Sequence, residues 1–381
     1  MKICYCIEGL YNSRGTERVL TQCANILSDY LHITIVTAFQ SGRKDYYPLK
    51  SNINRIDLGV NDYKFNSVFF NPRKRDYKRK LSSFLIKEKF DIVISTGGLD
   101  SQFLYKIKDG SKKILWFHFA FDVSNLFIRE KHKGIIADLM VWLQTKRRVY
   151  FANKMDKVVV LSHTDCKKWQ KYCNNVTFIY NPITISATGT SSCETKSIIA
   201  VGVLGAQKGF DYLIDAWPEV YQKHPDWQLD IFGEGPDREV LQNQINQYGL
   251  KDHVFLRGRT NSIESEYLSH SIYVMSSRAE GFGLVLVEAE SCGLPLISYN
   301  CNHGPSEIIT NNENGILIDK VGDIKELSNA INYLIENPEE RKRMGKRGKE
   351  MSKRFEEENI KSEWLRLFNE LTNVFGRFRI N

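Results

Sequence analysis

The residues best suited to chemistry lie in SSRAEGFGLVLVEAESCGLP, positions 276–295 of a 381-residue chain. Two glutamates, Glu280 and Glu288, flank seven residues, and Gly281, Phe282 and Gly283 lead from the strand-like run IYVMSS into an apolar helical pattern beginning at Leu284. Glycines at 281 and 283 permit close backbone approach, and the free amides and dipole of a helix start favour a phosphate there. Glu288 falls about a turn and a half into that helix, among Leu, Val and Ala, where an unpaired carboxylate would be costly to bury. Two partners would satisfy it: a ligand with adjacent hydroxyls, such as a ribose, or a nearby Lys or Arg.

Positioning such groups is the task of the surrounding elements. Short apolar, β-rich runs alternate with longer helical patterns: KICYCI, HITIV, DIVIS, KILWFHF, KVVVLS and TFIY in the first half, SIIAVG, LDIFG, VFLRG, IYVMSS, LPLIS and GILI in the second. Between them, stretches such as GTERVLTQCANILSDYL and FDYLIDAWPEVYQKH repeat apolar residues at three and four. Alternation of this kind predicts an α/β fold with parallel sheets covered on both faces. Two such series predict two doubly wound domains, 1–181 and 182–357. The segment NPITISATGTSSCETK, 181–196, holds seven Ser/Thr and reads as the linker. The pattern from 321 to 371 is helical throughout, and the closing helix at 358–381 must bury its apolar face, with the first domain as one receiver. Ligands of open parallel sheets bind beyond the carboxyl ends of the strands, so a cleft between the two domains is the expected site.

Composition narrows the class. With 42% hydrophobic and 26% charged residues and 9 prolines, the chain is neither disordered nor collagen-like. Its 8 cysteines include no Cys-x-x-Cys pair and no zinc spacing, so they read as reduced core thiols and no metal site is expected. The opening MKICYCIEGL turns polar too quickly for a signal peptide, and no run approaches the ~18 apolar residues of a membrane span. A cytoplasmic protein is expected. Net charge is +8, but residues 1–180 carry 31 Lys and Arg against 16 Asp and Glu, and the remainder 22 against 29. A first half at +15 faces something anionic, or is a solvated basic surface. NPRKRDYKRK at 71–80, with Tyr77, Phe69 and Phe70 interleaved, and KRR at 146–148 fit an anionic membrane surface. No nucleic-acid motif accompanies them.

The region around Glu280 and Glu288 resembles the signature of retaining glycosyltransferases of the GT-B fold, in particular the large family numbered four. The resemblance implies that Glu280 approaches the donor sugar and Glu288 holds the ribose hydroxyls. It extends through VGVLGAQKGFDYLIDA (201–216), implying a diphosphate-binding Lys208, through the loop GRTNSI with Arg259, and through NHGPSEII and NGILI. Gly281, Phe282, Gly283 and Leu284 complete the implied donor-binding set. In the first half, NSRGTERVL (12–20) resembles the family's glycine-rich loop, with Gly15 and Glu17 in register on the phosphate and acceptor sides. LWFHFA places His118 where the family commonly has a histidine near the reaction centre; a packed core histidine is the alternative.

Two departures stand out. The family usually has arginine where Val203 stands and a second glycine where Arg14 stands. Losing that arginine removes a charge-assisted contact worth roughly 1.5 to 3 kcal/mol, which Arg14 could replace. An acceptor contact or a solvated side chain is the other reading of Arg14. The resemblance thus implies transfer of a hexose or N-acetylhexosamine, UDP-linked by the look of the 304–307 segment, to a saccharide acceptor with retention. Glu280, His118 and Lys208 would be catalytic. The chain contains no Asp-x-Asp, so neither metal nor other cofactor is expected beside the nucleotide sugar. Relatives in capsule and O-antigen assembly imply a lipid-diphosphate-linked acceptor at the inner membrane face. A nucleotide-sugar epimerase of the same architecture, or a catalytically decayed binding subunit, are the alternatives.

Overall fold

The computed structural model describes residues 1–61, 71–122, 125, 128–129, 132–185 and 187–372. It divides into two units, Met1–Pro182 with Glu357–Asn381, and Ile183–Glu356.

The first unit holds a seven-stranded sheet of order β3-β2-β1-β4-β5-β6-β7. Its strands are β1 (Lys2–Ile7), β2 (His32–Thr37), β3 (Asn54–Asp57), β4 (Ile92–Ser95), β5 (Lys112–Trp116), β6 (Lys157–Val160) and β7 (Val176–Phe178), and every pairing is parallel. Ile3 lies across from Ile33 on one side and Ile92 on the other. The central strands are near-continuous runs of Ile, Val and Cys because helices cover both faces. The sequence reading omitted β3: NRID is short, mostly polar and at the sheet edge, so it carries no apolar run.

Among the described residues, five α-helices accompany this sheet: α1 (Gly15–Leu27), α2 (Pro72–Glu88), α3 (Gly134–Ala152), α4 (His163–Gln170) and α12 (Glu357–Thr372). Asn71 caps α2, accepting from the Lys74 amide at 2.9 Å with Pro72 at the first helical position. The closing helix α12 lies on this unit: Trp364 meets Trp116 edge-on at 5.0 Å, and Phe368 is fully buried. Residues 373–381, the end of the expected 358–381 helix, lie outside the described residues.

The second unit repeats the plan in six parallel strands of order β10-β9-β8-β11-β12-β13. These are β8 (Ser197–Val201), β9 (Gln228–Phe232), β10 (Val254–Gly258), β11 (Ile272–Met275), β12 (Leu296–Tyr299) and β13 (Gly315–Ile318). Helices α5 (Phe210–Lys223), α6 (Arg238–Gln247), α7 (Ile263–Ser269), α8 (Leu284–Ser291), α9 (Pro305–Ile308), α10 (Ile324–Glu336) and α11 (Pro338–Ser352) complete it. In α5 the buried Phe210, Leu213, Ile214, Trp217 and Val220 form one stripe against the sheet, facing the stripe of α10. The expected linker is shorter than 181–196. Ser191 donates its amide to the Cys292 carbonyl at 2.8 Å, and Arg341 Nε donates to the Cys193 carbonyl at 2.8 Å. The Ser/Thr-rich composition therefore marks a segment strapped along the second unit, with its polar groups bonded there.

In both sheets the chain winds outward from the centre in opposite directions, leaving a crevice beyond the carboxyl ends of β1 and β4, and of β8 and β11.

Candidate functional site

At the β8/β11 crevice two loops are stitched together. Gly209 adopts φ +62, and a Cβ there would stand 2.2 Å from the Ser276 carbonyl oxygen, so only glycine lets the turn after β8 meet the end of β11. The Ser276 hydroxyl donates to the Lys208 carbonyl at 3.1 Å, the Arg278 amide to the Gln207 carbonyl at 2.8 Å, and the Gln207 amide side chain to the Ala279 carbonyl at 2.9 Å. Across this seam the Lys208 stem runs over Gly202, where a Cβ would sit 3.2 Å from three of its carbons. Its Nζ reaches Glu280 Oε1 at 2.7 Å, and the Ser277 hydroxyl donates to the same oxygen at 2.7 Å. The two side chains of the ion pair are 20% and 8% exposed, so it is largely removed from water. The lysine and the glutamate to which the resemblance gives diphosphate and sugar are bonded to each other.

Gly283 (φ +94) caps α8 and turns Leu284 and Val285 into the first helical turn. Gly281 is half-buried, and Phe282 is buried and meets Phe355 edge-on at 5.6 Å. Gly304 presses against the Phe282 carbonyl, where a Cβ would come within 2.4 Å, so the 302–309 segment braces the Gly-Phe-Gly turn.

Glu288 is 1% exposed on α8. Thr184 Oγ1 donates to its Oε1 at 2.5 Å and Tyr267 OH to its Oε2 at 3.2 Å. Two hydroxyls of the chain thus meet its two oxygens, each of which keeps capacity for a further donor. Neither was visible in the sequence, because Thr184 and Tyr267 lie 104 and 21 residues away and carry no motif. Arg259, in the loop after β10, is exposed and lines a polar groove of about 900 Å³ with Arg257, Thr260, Asn261 and His270; Lys208, Glu280 and Glu288 are not among its lining. In that groove Asp230 accepts from His270 Nε2 at 3.0 Å, Arg257 Nε at 2.5 Å and Gln228 Nε2 at 2.8 Å. Burial opposes its charge, but the bonds from His270 and Arg257 prevail and hold its carboxyl below the usual range. Val203 is 60% exposed.

In the first unit, His118 stands two residues beyond β5 with its ring against Trp116, centroids 4.3 Å apart. Burial pushes its pKa down to about 3, and its Nε2 is enclosed with no hydrogen-bond partner among the described residues. It is therefore a neutral imidazole with a free polar edge. Arg14 is the exposed N-cap of α1, and a Cβ on Gly15 would meet nothing within 4 Å, so this glycine answers no crowding from the described residues. Glu17, in the first turn of α1, is 7% exposed and accepts from Asn12 at 3.4 Å; burial pushes its carboxyl up. Asp100, which the sequence reading passed over, is fully buried after β4, and burial raises its pKa to about 7 against the opposing pull of the Ser95 hydroxyl. Its only sequence signal is the Gly97-Gly98 turn before it.

The basic stretch is also revised. Tyr77, expected at a lipid interface, is 1% exposed and meets Phe103 edge-on at 5.5 Å, so it belongs to the core. Phe69 and Phe70 lie outside the described residues. Lys74 donates to Gln102 at 2.9 Å and Lys80 to the Gly59 carbonyl at 2.6 Å, whereas Arg75, Lys78 and Arg79 are exposed.

Two doubly wound parallel sheets in one chain, the second closing a lysine and a glutamate beside a glycine-capped helix, define the GT-B class of sugar-transferring enzymes. Residues 185–351 match the family described as Glycosyl transferases group 1. An uncharacterized glycosyltransferase of Haemophilus influenzae is 31% identical over 95% of this chain and 98% of its own. The chain belongs to the glycosyltransferases. A Campylobacter jejuni enzyme described as a GalNAc-alpha-(1->4)-GalNAc-alpha-(1->3)-diNAcBac-PP-undecaprenol alpha-1,4-N-acetyl-D-galactosaminyltransferase is 25% identical over 98% of this chain and 100% of its own. Among solved structures, S. aureus TarM in complex with fondaparinux, alpha-GlcNAc-glycerol and UDP superposes with a TM-score of 0.77 at 16% identity, over 97% of this chain and 99% of that one.

Proposed function

We propose that this glycosyltransferase moves a hexose or N-acetylhexosamine, with retention, from a UDP-sugar to a saccharide carried on a lipid diphosphate, in cell-surface polysaccharide synthesis at the inner face of the membrane. The observation that carries the donor half is the Lys208–Glu280 pair set beside the Gly283-capped helix start. In the transfer the anomeric carbon–oxygen bond breaks and its electron pair leaves with the diphosphate. The acceptor oxygen bonds to the same carbon and passes its proton to the departing diphosphate oxygen. The transition state has oxocarbenium character, with negative charge growing on the leaving phosphate. Lys208 and the first amides of α8 meet that charge without a metal. As Lys208 turns to the phosphate it releases Glu280 toward the sugar.

Glu288 takes the ribose hydroxyls, joining the hydroxyls of Thr184 and Tyr267 in one network, and Arg259 serves the nucleotide. Gly15 keeps room for the substrate, while Glu17 and neutral His118 contact acceptor hydroxyls. Arg14 supplies the cation that Val203 does not. The Campylobacter relative, described by an undecaprenol diphosphate acceptor, and the TarM complex, which holds UDP, support the acceptor and donor classes. The exposed cations of α2 favour an anionic membrane. The test is a thermal-shift panel of nucleotide sugars, followed by product analysis with lipid-diphosphate-linked oligosaccharides. Stabilisation by UDP-sugars and an α-linked product from an α-linked donor are expected. Isomerised donor without transfer, or an inverted product, would overturn the reading.

A further inference from the structure

Helix α3 is turned inside out. Its inward side is made of Ala137, Val141, Thr145, Arg148, Val149 and Ala152, with the Arg148 guanidinium over the Phe121 ring at 4.6 Å. Its outward side shows Ile135, Ile136, Leu139, Met140, Trp142 and Leu143, from 37% exposed at Met140 to 86% at Ile135. At 100° per residue, positions 135, 139, 142 and 143 share one stripe. A helix covering a soluble core normally presents the opposite pattern, and a contiguous exposed apolar patch of this kind marks an interaction surface.

What the stripe meets is indicated by the cations past its carboxyl end, the one carboxylate within 135–143, Asp138, being paired with Arg129 at 2.7 Å. Arg147 of α3 and Lys74 of α2 both donate to the neutral side chain of Gln102, at 2.6 and 2.9 Å. Burial and the nearby charges of Arg147, Lys106 and Lys78 all depress the Lys74 ammonium. Among the described residues, no carboxylate pairs with any of these four cations. A second copy docked on α3 would bring like clusters together, whereas an anionic lipid surface offers acyl chains to the stripe and phosphates to the cations.

We infer that α3 is an interfacial anchor that buries its 135–143 stripe in an anionic lipid monolayer, with Lys74, Lys78, Lys106 and Arg147 at the headgroup phosphates. The anchor deepens the lipid-linked reading above and rests on it for its purpose. The binding test uses neither donor nor acceptor, so its failure and a failure of transfer are told apart.

The test has a built-in reporter. Of the 6 tryptophans, Trp142 is 55% exposed and Trp116, Trp169, Trp217, Trp227 and Trp364 are all at 5% or less. Vesicles of phosphatidylcholine with phosphatidylglycerol should shift its emission to the blue, and lipids brominated on the acyl chains should quench it. Trp142→Phe should abolish both signals. The triple variant Ile136→Ser, Leu139→Ser, Leu143→Ser should keep its melting temperature, because these side chains lie outside the core, and lose about 100-fold in vesicle partitioning. Quenching absent with brominated lipid, or partitioning unchanged in the triple variant, would overturn the inference. A dimer in lipid-free solution that the triple variant dissolves would also overturn it, giving the stripe to a second copy.

Discussion

If Glu280 and the donor diphosphate compete for Lys208, removing the glutamate's charge should tighten binding of the nucleotide while slowing transfer. Lys208 sits 2.7 Å from Glu280 in a pair whose members are 20% and 8% exposed. Breaking a fully buried pair costs 3 to 5 kcal/mol, and with a fifth of the lysine in water about 2 kcal/mol is the expected stability loss for Lys208→Met. Adding Glu280→Gln should return most of it, because the stranded carboxylate disappears. UDP affinity separates the roles. Lys208→Met forfeits a charge-assisted bond to phosphate worth roughly 1.5 to 3 kcal/mol, so its Kd for UDP should rise by about 10- to 100-fold. Glu280→Gln frees the ammonium and should lower the UDP Kd by several fold. Its turnover should fall by about two orders of magnitude once the sugar loses a preorganised charge. Isothermal titration with UDP, denaturant melts of the single and double variants, and initial rates are the measurements. Weaker UDP binding by Glu280→Gln, or unchanged UDP binding by Lys208→Met, would refute the competition and move the diphosphate elsewhere.

Glu288→Ala should raise the donor KM more than it lowers kcat, the mark of lost ground-state contacts, and Thr184→Val should do so in the same direction but less. His118 and Asp100 of the first unit should tilt stability in opposite ways. His118, held near 3 against about 6.5 unfolded, gives stability that is full above pH 6.5 and declines as pH falls below it, by at most about 1.4 kcal/mol per unit. Asp100, raised to about 7 against about 3.9 unfolded, keeps its proton longer in the folded state, so stability declines as pH rises from 4 to 7. Relative to the wild type, melts across pH 4 to 7 should therefore show the slope of stability against pH turned more negative in His118→Phe and more positive in Asp100→Asn; slopes equal to the wild type in both would discard these assignments. Arg14→Gly should impair donor turnover, with partial rescue by Val203→Arg in a double-mutant cycle, and additive effects would return Arg14 to the acceptor or the solvent.

What the sequence by itself determined is local or periodic. Runs such as KICYCI and SIIAVG must be buried on both faces, which calls for parallel strands, and a glycine such as Gly283 followed by an apolar helix marks a turn that exposes amides. The Glu280–Glu288 spacing and the Lys208 turn were legible because each sits inside one strand–loop–helix unit. Their meeting was not, since Lys208 and Glu280 are 72 residues apart and touch only because β8 and β11 are hydrogen-bonded neighbours in the sheet. The same holds for Thr184 and Tyr267 on Glu288. Polarity misled where the sheet edge made it cheap, as in NRID of β3, and amphipathic spacing said nothing of direction: Tyr77 in a basic run turned inward, while Ile135 and Trp142 turned out. A helical stripe records that one face is apolar. Which face meets the protein depends on the neighbours available to cover it, and those come together only in the tertiary structure.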